Sequence, residues 1–105
     1  MKELDQFLKE LDKAKNIQEY EALIKEFTLY IDNEPNNTVL LEKRAKFHEK
    51  FQQYGKAIND YQRILKIDPD NKSAKTQIDL LKTILRYSNT DIYASTNTNM
   101  DPWLE

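Results

Sequence analysis

The chain contains no cysteine, which excludes a disulfide scaffold, a Cys-based zinc site and thiol catalysis. It has one histidine, His48, so no second imidazole or thiolate completes a metal set of plausible spacing. One glycine and three prolines among 105 residues are too few turn formers for the many tight connections of an all-β domain. There is neither a glycine-rich phosphate loop nor a nucleophile motif. No stretch approaches the roughly 18–20 apolar residues that cross a bilayer. The opening Met1-Lys2-Glu3-Leu4-Asp5 is charged from the start and lacks the apolar core of a signal peptide. Neither charge sign dominates: 16 basic residues against 18 acidic ones leave −2, a weak attraction for nucleic acid or an anionic membrane. These absences lead us to expect a cytoplasmic, non-enzymatic protein without cofactor or metal, and without nucleic acid or membrane as partner.

What the chain does have is charge, at 32% of residues, and an apolar fraction of 39% arranged with helical spacing. It also repeats itself. Pro35 and Pro69 lie 34 residues apart, and each follows an acidic residue, Glu34 or Asp68. An aromatic stands eight residues before each proline (Phe27, Tyr61) and another fifteen before (Tyr20, Tyr54). Ile24 and Ile58 keep the same offset. Self-similarity at a fixed period of this length is the signature of a repeat architecture.

The elements follow from periodicity and breakers. Leu4, Phe7, Leu8 and Leu11 predict a first helix over about 2–14, and the run from Tyr20 to Ile31 predicts a second over about 17–33. Pro35 forbids its continuation. Asn37 or Thr38 caps a third helix carrying Leu40, Leu41, Ala45, Phe47, His48 and Phe51. A fourth carries Tyr54, Ala57, Ile58, Tyr61, Ile64 and Leu65 and stops before Pro69. Asn71 or Ser73 caps a fifth that runs to about Tyr87. Its stripe Ala74, Ile78, Leu81 and Leu85 faces the preceding helices. Leu80, Ile84 and Tyr87 form a second stripe, rotated by roughly 120° at about 100° per residue. That second stripe either packs on another helix of the same body or offers a docking face.

Residues 38–71, with Leu41, Ala45, Tyr54, Ala57, Ile58, Tyr61, Leu65 and the ending Ile67-Asp68-Pro69-Asp70-Asn71, resemble one tetratricopeptide repeat (TPR). Residues 4–37 resemble a weaker one, keeping Tyr20, Ile24, Phe27 and Pro35. Arg44, His48, Gln52 and Ile64 depart from the family pattern, which favours Leu, Tyr, Gly and a small residue at those points. Leu23 stands where Ala is expected. The run from Ile84 to Tyr93 resembles the end of small stand-alone bacterial TPR proteins. The resemblance implies an all-α fold of antiparallel helix–turn–helix repeats stacked in a right-handed superhelix. Repeat 1 would span about 4–37, repeat 2 about 38–71, and a capping helix about 71–88.

The resemblance also implies a function: an adaptor or scaffold that binds a peptide or helix in a concave groove lined by the first helix of each repeat. That groove would present Asp5, Leu8, Lys9, Asp12, Val39, Glu42, Lys43, Lys46 and Glu49, with Thr76, Leu80 and Thr83 from the capping helix. Family members that clamp a chaperone's terminal carboxylate place Asn and basic residues at groove positions held here by Leu8, Asp12, Glu42 and Lys46. No clamp of that kind is therefore expected. The groove residues could equally be plain solvated surface, as the charge spacing along the helix allows.

Composition changes at residue 89. Residues 89–105 contain Asp91, Asp101 and Glu105 but no Lys or Arg, so this segment carries −3 while residues 1–88 carry +1. It keeps Ile92, Tyr93, Met100, Leu104 and the only tryptophan, Trp103. Three readings stay open: docking back onto the repeats, a linear motif Met100-Asp101-Pro102-Trp103-Leu104-Glu105 for a partner, or a functionless end. Self-association into a homodimer through the fifth helix and this segment is the alternative to peptide capture. Nucleic-acid binding through Lys43, Arg44, Lys46, Lys50 and neighbouring bases ranks lower, because acids interleave with them and the aromatics take core positions.

Overall fold

The computed structural model describes residues 3–88; the candidate residues Ile92, Tyr93, Met100, Trp103 and Leu104 lie outside the described residues. Five helices follow one another: α1 (Leu4–Lys13), α2 (Ile17–Asn33), α3 (Thr38–Lys50), α4 (Tyr54–Ile67) and α5 (Lys72–Ser88). The fold is all-α, with no strand among the described residues. The 34-residue period of the sequence is also the period of the backbone. Leu4, Thr38 and Lys72 open α1, α3 and α5 at that step, and Asn33 and Ile67 close α2 and α4 at the same step.

Local chemistry sets these boundaries. Asn37 Oδ1 accepts from the backbone N–H groups of Val39 (3.0 Å) and Leu40 (3.2 Å), and Asn71 Oδ1 accepts from that of Ala74 (2.9 Å). Asn37 and Asn71 are thus the caps, 34 residues apart, that satisfy otherwise orphaned donors of a first turn. Asn16 caps α2 through Glu19 N–H (2.9 Å), and the Glu19 carboxylate accepts from Lys15 N–H (3.0 Å). The end of α3 is a Schellman turn: Gln53 N–H donates to His48 O (2.8 Å) and Gln52 N–H to Glu49 O (2.9 Å). That turn needs a left-handed residue, and Gln52 supplies it at φ 61°.

Small residues decide how closely the helices approach. Ala45 and Ala57 are both fully buried, and the backbones of α3 and α4 come close along their length. Thirty-four residues earlier, Leu11 and Leu23 occupy the same places; α1 and α2 stay further apart, held by side chains rather than by backbone proximity. Phe7 fills that wider gap, with its ring edge-on to Phe27 (5.3 Å) and stacked on Tyr30 (4.8 Å). A second aromatic group joins the two repeats, with Tyr20 lying 5.4 Å from Phe47 and 5.0 Å from Phe51. Each large side chain buried in this way contributes about 1.5–3 kcal/mol by leaving water.

The α5 stripe faces the core as its spacing predicts: Ala74, Ile78 and Leu81 are buried and Leu85 is partly so. The second stripe divides. Ile84 packs against the core, whereas Leu80 and Tyr87 are 49% and 75% exposed. Packing of both stripes on the same body therefore accounts for Ile84 alone.

Candidate binding cleft

Arg44 and His48 are partners of one buried carboxylate. Arg44 grips Asp60 with two nitrogens, Nε to Oδ2 at 2.8 Å and Nη2 to Oδ1 at 2.6 Å. His48 Nε2 lies 3.5 Å from Asp60 Oδ2, and Nδ1 lies 2.7 Å from the Tyr20 hydroxyl. The consistent arrangement is a neutral ring whose Nε2–H faces the carboxylate and whose Nδ1 accepts from Tyr20. Arg44 Nη1 reaches the Thr28 hydroxyl (3.4 Å), which itself donates to Ile24 O (2.9 Å). Burial pulls the His48 pKa down to about 4, against the attraction of Asp60 and with help from Arg44. Burial and the Asp60 charge push Tyr20 up to about 12, so it stays a donor. His48 and Asp60 are buried, so this network binds α2, α3 and α4 together and offers substrate no access. Among the described residues, no group of three or more His, Asp or Glu side chains is placed to hold a metal ion.

A second polar tie uses Glu49, which accepts from the Tyr61 hydroxyl (2.6 Å) and from Gln77 Nε2 (3.0 Å). Burial and this hydrogen bond raise the Tyr61 pKa far above the usual phenol range. Glu49 therefore joins α3 to α4 and α5 rather than standing free in a groove.

The groove residues expected from the sequence separate into distinct places. Leu8, Asp12, Lys43 and Lys46 come together around a cleft of about 330 Å³ between α1 and α3. Its apolar floor is Leu8, Leu11 and Phe47, and Lys9 and Lys50 complete a rim of four lysines against the single acid Asp12. Val39 and Glu42 line a separate hollow of about 210 Å³ toward α5. Leu80 is exposed on α5 and lines neither. The signature residues sit where packing needs them: Tyr20, Phe27, Ala45, Ala57, Ile58 and Tyr61 are buried, Ile24 and Tyr54 are partly buried, and Pro35 and Pro69 are exposed in the turns.

No family model, curated protein or solved structure matches the chain.

The groove pattern missed three residues that line the cleft, Leu11, Phe47 and the charged Lys50. The Lys50 ammonium donates to Leu11 O (3.1 Å) and Asp12 O (3.2 Å), closing the C-terminal end of α1. A cation placed there also complements the helix dipole. The signal was in the sequence: Lys43, Lys46 and Lys50 step by three and four, which puts them on one helical face. The cleft thus offers apolar surface continuous with the core through Phe47, which is 4% exposed, beneath a cationic rim. No helix among the described residues is long and apolar enough to cross a membrane.

Proposed function

We propose that this chain is a small tetratricopeptide-type adaptor that captures an acidic, partly apolar peptide or helix in the cleft between α1 and α3. The observation that carries this reading is the pairing of an apolar floor with four rim lysines and one rim acid. Apolar side chains of a ligand would supply affinity on Leu8, Leu11 and Phe47, while its carboxylates would be steered and oriented by the lysines. The 34-residue period shared by the sequence, the starts of α1, α3 and α5 and the ends of α2 and α4 supports the repeat assignment, and the buried polar network supports a scaffolding role for Arg44 and His48. Among the described residues, every aromatic except the exposed Tyr87 is buried in the core or packed against it, which leaves few of the stacking platforms a single-stranded nucleic acid would use.

The test is a titration of the protein into a dye-labelled synthetic peptide carrying two Glu residues beside a Leu-Trp pair. Saturable binding that is lost with Lys43→Glu/Lys46→Glu, and absent for a peptide with Lys in place of Glu, supports the reading. Equal binding of both peptides, or tighter binding of a labelled oligonucleotide, refutes it. A second reading, self-association through α5, draws on the exposure of Leu80 and Tyr87. Light scattering across concentration distinguishes it by a mass that doubles.

A further inference from the structure

The cleft has an occupant of matching chemistry within its own chain. The rim is cationic and the floor apolar, whereas residues 89–105 carry −3, no positive charge, and the only tryptophan next to a leucine. The geometry also brings the chain to the right end of the molecule. Lys50, at the end of α3, bonds the last carbonyls of α1, so these two helices end side by side. The N-terminal turns of α3 and α5 share the hollow lined by Val39 and Ala74, so α5 runs parallel to α3. The last residue of α5, Ser88, therefore leaves at the end where the lysine-rimmed halves of α1 and α3 lie. α5 packs mainly on α4, so from α5 to the gap between α1 and α3 is about 20 Å, two helix spacings of roughly 10 Å. Residues 89–99 span up to about 36 Å when extended, enough to cross that gap.

We propose that Met100-Asp101-Pro102-Trp103-Leu104-Glu105 occupies the α1/α3 cleft of its own chain, with Trp103 and Leu104 on the apolar floor and Asp101 and Glu105 against the lysines. The inference rests on the reading of the cleft as a site for an acidic, apolar segment, and it makes that site self-regulated. A tethered segment is present at an effective concentration on the order of millimolar, so even weak intrinsic affinity fills the cleft much of the time. A partner peptide then binds only by displacing it, and its apparent affinity falls by the fraction of open clefts. The cleft is preferred over the exposed Leu80 and Tyr87 because it combines a concave apolar floor with the opposite charge.

Trp103 reports on this directly in the full chain. Its emission is expected to lie to the blue of a synthetic peptide of residues 89–105, and its quenching by acrylamide to be weaker. Both properties should move to the peptide's values in Lys43→Glu/Lys46→Glu, with helical circular dichroism retained, and stay unchanged in Leu80→Ser/Tyr87→Ser. The Glu-containing probe peptide should bind Trp103→Ser/Leu104→Ser several-fold more tightly than the unaltered chain. A Trp103 as exposed as in the free peptide overturns the inference, as does shielding that disappears on dilution and so comes from a second copy. If Trp103 is exposed but the probe binds both chains equally, self-occupancy fails and the cleft's function stands. If the probe binds neither chain, both fail.

Discussion

Arg44 and Asp60 meet across the α3/α4 interface in a two-pronged ion pair, with side chains only 12% and 4% exposed. Removing one partner strands the other's charge in the core, which costs about 3–5 kcal/mol. A domain of this size has about 5–15 kcal/mol in total. Asp60→Ala is therefore expected to remove a large share of the stability measured by urea unfolding. Arg44→Leu/Asp60→Asn, which removes both charges and leaves an acceptor for His48, should recover at least about 1 kcal/mol of that loss. If the double variant is as unstable as the sum of its parts, the two residues are not coupled.

His48 gives the protein an acid-sensitive stability. It is buried neutral, with a folded pKa near 4 against an ordinary value of 6.5. Below pH 6.5 the unfolded chain therefore binds a proton that the folded chain refuses, and stability falls as pH drops from 6.5 toward 4. Above pH 6.5 the neutral ring is present in both states and the contribution is complete. No other histidine shares this window. Urea midpoints should decline from pH 7 to pH 4.5 in the unaltered chain and stay flat in His48→Gln. Parallel profiles would contradict the assignment.

Gln52 carries a left-handed backbone that glycine tolerates far better. Its hydrogen-bonded Schellman turn fixes the conformation, so substitution acts on the strain alone. Gln52→Gly should raise the unfolding free energy by about 0.5–1 kcal/mol, and Gln52→Val should lower it. The midpoints of thermal unfolding decide between these signs and no effect.

The two helix pairs should differ in how sensitive they are to changes of side-chain size. Ala57→Leu forces a larger side chain into the closely packed α3/α4 interface and is expected to cost about 1–3 kcal/mol or more. Leu23 occupies the equivalent place in the first repeat but is only partly buried, so Leu23→Ala should cost less than the same truncation of a fully buried Leu41. Denaturant series on the three variants test the ranking.

Much of this architecture was legible in the chain. Pro35 and Pro69, with the aromatics keeping step behind them, marked the repeat and the helix ends, because a missing N–H and a fixed φ act locally. The choice between Asn37 and Thr38, or Asn71 and Ser73, was not legible, since either member of each pair has an oxygen able to cap. Arg44 and His48 read as departures from a pattern. Only the folded chain shows that Asp60, a residue with no distinguishing local signal, is the common partner that makes both necessary. The groove was legible as a set of residues on one kind of helix. Its division into a lysine-rimmed cleft, a separate Val39–Glu42 hollow and a tied-up Glu49 depends on side-chain contacts between helices that spacing does not encode.

The most direct measurement of cleft binding is amide chemical-shift mapping of the full chain during titration with the Glu- and Leu-Trp-bearing peptide. Peptide capture between α1 and α3 predicts shifts concentrated at residues 8–12 and 43–50, with α5 around Leu80 little affected. Shifts centred on α5, or none at saturating peptide, would contradict it.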